Sequence, residues 1–119
     1  MFEQYKVEER GNVTILHLKG QFIGGNETDD LRAKLTEISQ KEKNQLVLDL
    51  DKVTYLNSTA LGVLISAHAN FTKRGGKIVL ANVGKSIENI FIITKLTLVF
   101  TIFSTLNEAI QHFTENPAQ

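Results

Sequence analysis

The spacing of apolar residues changes along this chain from every second position to every third or fourth, and each change predicts an element. From Phe2 to Glu9 a weak alternation predicts an edge strand, and Gly11-Asn12 a turn. Val13 to Lys19 alternates clearly, with Leu16 and Leu18 on one face and His17 and Lys19 on the other, so the two segments predict a hairpin. Gly20 to Asn26 reads as a loop that pivots on Gly24-Gly25. Asn26 or Thr28 is expected to cap the following helix, Glu27, Asp29 and Asp30 suit its positive end, and Leu31, Leu35 and Ile38 share a face before it ends near Lys41–Asn44. Leu46-Val47-Leu48, with Leu50 and Val53, is the near-continuous apolar run of a strand buried on both faces. A turn, Tyr55 to Gly62, leads into a helix beginning at Ser58 or Thr59. Two stripes follow, Leu61/Leu64/Ile65/His68/Thr72 and Ala60/Val63/Ala67/Phe71, and Gly75-Gly76 closes the helix.

The remaining pattern repeats the unit. Lys77 to Asn82 predicts a strand, Ser86 a cap for a helix carrying Ile87 and Ile90 to Ile93, and the β-branched and aromatic Leu98 to Phe103 a last strand. Thr105-Leu106-Asn107-Glu108 has the spacing of a capping box, with Leu106, Ala109, Ile110 and Phe113 facing inward, and Pro117 falls in a polar tail. The predicted order is β-β-α-β-α-β-α-β-α. Strands linked by helices require parallel pairing and right-handed crossovers, so the expectation is one α/β domain with a mixed, mostly parallel sheet.

Composition narrows the function classes. The 119 residues suffice for one core, and 13 basic residues balance 13 acidic ones, which gives no electrostatic basis for capturing nucleic acid or anionic lipid. Without cysteine there is no disulfide, thiolate metal site or cysteine nucleophile. The N-terminus lacks the apolar run of a signal peptide, and Ile90 to Phe103 is interrupted by Thr94, Lys95, Thr97 and Thr101, so neither secretion nor membrane insertion is expected, and a cytoplasmic location follows. Four Asn-x-Ser/Thr sequons, at Asn12, Asn26, Asn57 and Asn70, are then accidental.

Most chemistry is poorly served. His17, His68 and His112 stand on three different elements with no carboxylate or second histidine at ligand spacing, so packing or solvent roles are expected and no metal or cofactor. Gly84-Lys85-Ser86 ends like a phosphate-binding loop, but the required earlier glycine is Val79. Ser58 lacks the Gly-x-Ser-x-Gly elbow, its flanking positions being Leu56 and Ala60, so no hydrolase or other enzyme is expected. What remains is a hydroxyl at a helix N-terminus. There Ser58 can act as an N-cap, worth about 1 kcal/mol, or as a phosphoacceptor. A phosphate of roughly −1.5 to −2 charges would be mildly favourable at that helix end and would act on a docked partner.

The stretch Val53-Thr54-Tyr55-Leu56-Asn57-Ser58-Thr59-Ala60-Leu61-Gly62-Val63-Leu64 closely resembles the signature of STAS-domain anti-sigma factor antagonists: apolar, Asp, Ser, Ser or Thr, Gly or Ala, Leu, Gly. The likeness runs roughly from Glu3 to Phe113, so the whole of 1–119 is expected to form one STAS domain. It implies a partner switch. The unphosphorylated protein would bind a serine-kinase anti-sigma factor and release the sigma factor; the kinase would phosphorylate Ser58, with Thr59 secondary, and a serine phosphatase would reset it. Asn57, Ser58, Thr59, Leu61, Gly62, Phe22 and Ile23 would form the docking surface. Two departures stand out. Asn57 replaces the family's acid, removing a charge, and Gln21-Phe22-Ile23-Gly24-Gly25 replaces a loop that often carries acids, with Phe22 and Ile23 forming either a greasier docking edge or buried side chains. The alternative implied by the same fold is an unphosphorylated STAS module of a transporter, lipid-handling or larger signalling complex. An apolar patch of Val63, Phe91 and Ile92 would favour protein binding under either reading.

Overall fold

In the computed structural model, which describes residues 4–115, a single five-stranded sheet carries four helices among the described residues. The elements are β1 (Tyr5–Arg10), β2 (Val13–Phe22), α1 (Asn26–Ser39), β3 (Gln45–Leu56), α2 (Ser58–Lys73), β4 (Lys77–Ala81), α3 (Lys85–Ile93), a 3-10 turn (Leu96–Leu98), β5 (Ile102–Phe103) and α4 (Leu106–Glu115). The sheet order is β1-β2-β3-β4-β5; β1 runs antiparallel to β2 and every other pair is parallel. This is the predicted α/β architecture. Phe2 and Pro117 lie outside the described residues.

Strand periodicity divides the interior into two unequal cores. Leu16, Leu18, Leu46, Leu48, Leu50, Ile78 and Leu80 pack under α1, α2 and α3, while their alternates Val13, Ile15, Val47, Val79 and Ala81 meet Ala109 and Phe113 of α4. Residues i and i+2 share a sheet face, so strands covered on both sides read as continuous apolar runs.

The α2–β4 junction shows why two glycines stand there. Gly75 adopts φ +80°, and the Gly76 N–H donates to the Phe71 carbonyl at 2.7 Å, closing α2. A Cβ on Gly76 would lie 2.5 Å from the Asn44 carbonyl oxygen. Asn44 is itself buried and donates to the carbonyls of Ser39 and Arg74, tying the end of α1 to the end of α2.

Several local expectations are corrected. The second strand extends past Lys19 to Phe22, and the third continues six residues past Leu50 to Leu56. Gly25, not Asn26 or Thr28, is the N-cap residue of α1, and Gly84, not Ser86, that of α3; neither uses a side-chain cap. The strand expected over Leu98–Phe103 shrinks to Ile102–Phe103. Leu96 and Phe100 are both buried, and the Phe100 N–H donates to the Leu96 carbonyl at 2.9 Å, so a helical spacing inserts both side chains in the core and overrides the strand propensity of that stretch. The Thr105–Glu108 capping box forms as expected: the Glu108 N–H donates to Thr105 Oγ1 at 3.1 Å and the Thr105 N–H to Glu108 Oε1 at 3.3 Å.

Candidate functional site

The turn from β3 into α2 is built by Asn57 rather than by Ser58. Asn57 keeps an extended backbone; its Oδ1 accepts from the Ala60 N–H at 3.0 Å and its carbonyl from the Leu61 N–H at 3.0 Å. Its own N–H donates to the Phe22 carbonyl at 3.0 Å, fixing the turn to the end of β2. The cap expected at Ser58 is therefore one residue earlier. Ser58 becomes the first residue of α2, exposed and relieved of the capping role. Thr59 is also exposed.

Beside this turn runs the short loop from β2 to α1, which Glu27 and Thr28 hold in shape. Glu27 Oε2 accepts from the Thr28 hydroxyl at 2.7 Å and from the N–H groups of Ile23 at 2.7 Å and Gly25 at 3.1 Å, while Thr28 Oγ1 accepts from the Gly24 N–H at 2.9 Å. These bonds, the Thr28 hydroxyl first and the Ile23 N–H next, pull the Glu27 carboxyl down to about 2, so it is ionised at neutral pH. Gly24 adopts φ +89°, and a Cβ there would stand 3.5 Å from Thr59, which places this loop against the first turn of α2.

The expected docking residues separate on burial. Asn57 is half-buried and Ser58, Thr59 and Gly62 are exposed; Ile23 is 51% exposed. Phe22 is fully buried, and Leu61 is buried in the same core, so neither side chain belongs to a docking edge. Tyr55, inside the quoted motif but left out of the expected surface, is 47% exposed. Strict alternation would place Tyr55 on the buried face with Val53; the register break at Thr54, from Gly20↔Val53 to Gln21↔Tyr55, turns it outward. Gly62 and Ile65, the latter 42% exposed, continue the stripe from Ser58 along α2 at i+4 and i+7. The patch of Val63, Phe91 and Ile92 does not form, because Val63 and Phe91 are core residues; the exposed aliphatics in that region are Ile92, Ile93, Leu98 and Val99.

The structure brings together one set of titratable groups that chain spacing hid. His17 lies between Asp49 and Glu8, which reach it from the two neighbouring strands. This pair cannot serve Ser58 as a catalytic base: nine residues of mostly extended chain, roughly 25 Å at strand rise, separate Asp49 from Ser58. Among the described residues no group of three histidine, aspartate or glutamate side chains could hold a metal ion, and no helix is long and apolar enough to cross a membrane.

An α/β sheet flanked by helices, with an exposed serine opening the helix after its long central strand, defines the class. The STAS domain family model matches residues 4–109, and the chain belongs to that family. A TM1081 homolog of Thermotoga neapolitana is 28% identical over 75 residues, 63% of this chain and 66% of its own length, just under two thirds. The anti-sigma F factor antagonist of Paenibacillus polymyxa is 22% identical over 101 residues, 84% of this chain and 86% of its own. Among solved structures, the anti-sigma factor antagonist SpoIIAA in its unphosphorylated form superposes with a TM-score of 0.78 at 18% identity, covering 93% of this chain and 96% of its own. A sulfate transporter family protein from Wolinella succinogenes reaches 0.79 at 18% identity, covering 91% and 89%.

Proposed function

We propose that this protein is an anti-sigma factor antagonist, a non-catalytic binding module switched by phosphorylation of Ser58. Unphosphorylated, it binds a serine-kinase anti-sigma factor and frees the sigma factor; the kinase modifies Ser58, and a serine phosphatase reverses the change. The observation that carries this reading is the division of labour in the turn: Asn57 caps α2, which leaves an exposed hydroxyl on the first residue of that helix. The docking surface is Ser58, Thr59, Gly62 and Ile65 on one side and Ile23 with Tyr55 on the other. The names of the Paenibacillus relative and of SpoIIAA support the antagonist role in this reading. The test is incubation with the cognate kinase and ATP, read by intact mass and peptide mapping. One phosphate on Ser58, abolished in Ser58→Ala, is expected; undiminished labelling of Ser58→Ala would sink the site.

The likeness to the Wolinella protein favours a second reading, a STAS module attached to a transporter. Affinity capture from the native organism separates the two: a kinase in the eluate supports the switch, a permease the alternative.

A further inference from the structure

On the sheet face that carries α4, beyond the small core under that helix, lies a polar cluster centred on His17. Nδ1 of the ring is 2.6 Å from Asp49 Oδ2, and Nε2 is 2.8 Å from Glu8 Oε1. Strand register produces this contact. His17 stands opposite Asp49 across the parallel pair and opposite Lys6 across the antiparallel pair, and Glu8, two residues from Lys6, shares its face.

The two carboxylates are held very differently. Asp49 Oδ1 accepts from Asn82 Nδ2 at 3.0 Å and from the Asp51 N–H at 3.1 Å. Asp51 belongs to a bulge, where the register passes from His17↔Asp49 to Lys19↔Lys52. Asn82 occupies the left-handed region at φ 58°, which asparagine tolerates. Burial of Asp49 opposes its ionisation, but the bonds from Asn82, His17 and the Asp51 N–H outweigh it and lower its carboxyl below the usual range. Glu8 is lowered as well, through its bond to His17 and then that to Arg10, whose Nε is 2.6 Å from Oε2. The side chain of Asp49 is 13% exposed and that of Glu8 32%, and Glu8 sits on an edge strand with one neighbour.

An imidazolium donates from both nitrogens; a neutral imidazole donates from one and offers a lone pair from the other. We propose that His17 is a proton-operated latch on β1: the charged ring joins β1 to β3 across β2, and on losing a proton it keeps Nδ1–H on Asp49 and releases Glu8. Glu8 is the side that lets go because Asp49 is fixed by two further donors and is the more buried acceptor. The other charges around the ring are Lys6 and Arg10 on β1, Lys19 on β2, and Asp51 and Lys52 on β3; Lys6, Lys19, Asp51 and Lys52 line, with the His17 cluster, a surface cavity of about 550 Å³. Lys77, the charged residue of β4, lies at the far end of that strand opposite Gln45. From α4, Ala109 and Phe113 meet the sheet, while Glu108, His112 and Glu115 line a separate cavity with Phe103.

The experiment records ring-nitrogen NMR of His17 together with amide hydrogen exchange of β1, normalised to β3 and β4, across about pH 5 to pH 9. β1 should be protected wherever the spectra show both ring nitrogens protonated and less protected wherever they show Nδ1 alone protonated. Exchange of β1 should accelerate about two- to fivefold in step with that change, the equilibrium factor of a partly exposed ion pair. In Glu8→Gln, β1 exchange should stay level over the same range. A neutral ring protonated on Nε2, or wild-type β1 protection unchanged through the titration, overturns the latch. Because the readout is confined to β1 and the ring, neither result depends on Ser58.

Discussion

Asn57→Ala set against Ser58→Ala isolates the division of labour on which the proposed switch depends. Truncation of Asn57 removes one bond, from the Ala60 N–H to Oδ1, and leaves that N–H without its partner at the start of α2. The two backbone bonds, Asn57 N–H to the Phe22 carbonyl and Leu61 N–H to the Asn57 carbonyl, survive because alanine supplies the same groups. The expected cost is therefore that of one N-cap, about 1 kcal/mol within a range of about 0.5–2. For a domain of this size each kcal/mol lowers Tm by about 3–5 °C. Ser58→Ala removes an exposed hydroxyl without a capping role and should change stability by less than about 0.5 kcal/mol. Urea denaturation of the two variants and the wild type, fitted with a common m-value, reads the difference. Equal losses in both, or a loss confined to Ser58→Ala, would refute the assignment and return Ser58 to a structural role. Asn57→Asp supplies a further check: it keeps the acceptor, adds a charge at the positive end of α2, and should stabilise by about 0.3–1 kcal/mol.

Three further outcomes follow from the same geometry. Gly76→Ala places a methyl 2.5 Å from the Asn44 carbonyl and should cost about 1–3 kcal/mol in urea unfolding. Gly62→Ala meets nothing within 4 Å on an exposed helical position, so it should stabilise by about 0.4–1 kcal/mol; a fall in binding to the proposed kinase partner, measured by calorimetry on this stabler variant, would then locate that partner on the stripe. Glu27 is depressed to about 2, so its contribution is complete above its ordinary 4.5 and is lost as pH falls from there toward 2. Glu27→Gln should accordingly flatten the acid limb of a plot of Tm against pH over that window; an acid limb identical to wild type would contradict the clasp.

The sheet and its crossovers were legible because period-two and period-three-to-four patterns alternate cleanly, and because strands covered on both faces carry unbroken apolar runs such as Leu46–Leu48. Helix entrances were less legible. Asn57 and Ser58 are both good cap residues, and the choice between them depends on where β3 ends; six further strand residues past Leu50 moved that point. Of the two roles open to Phe22, docking edge or buried side chain, burial holds, because β2 runs on through Gly20 and Phe22 keeps the period-two face of Leu16 and Leu18. Leu98–Phe103 has strand propensity that tertiary packing of Leu96 and Phe100 overrides. The His17 cluster was invisible to spacing altogether, because Glu8 and Asp49 are 9 and 32 positions away along the chain and meet the ring only through strand register.

The geometry of the turn also predicts what a phosphate on Ser58 would act on. At the start of α2 the Ala60 N–H is held by Asn57 Oδ1 and the Leu61 N–H by the Asn57 carbonyl, which leaves the N–H groups of Ser58 and Thr59 as the donors with no intrahelical partner. In the adjacent loop the N–H groups of Ile23 and Gly25 belong to Glu27 and that of Gly24 to Thr28. Glu27 is anionic at neutral pH, so the loop has no reason to exchange it for a second anion. A phosphate would thus gain the helix-end field, about 0.3–1 kcal/mol, and otherwise remain in water. A partner closing over Ser58, Ile23 and Tyr55 would instead have to strip that water from a near-dianion, at a penalty of several kcal/mol per ion. Every 1.4 kcal/mol is about tenfold in affinity, so phosphorylation should weaken binding to the proposed kinase partner by at least about a hundredfold while the unfolding midpoint moves by no more than the equivalent of about 1 kcal/mol. Calorimetric Kd and urea midpoints of the same phosphorylated sample measure both. A phosphoprotein whose loss of binding tracks a matching loss of stability would mean that the modification acts on the fold itself, and the partner-side account of the switch would fail.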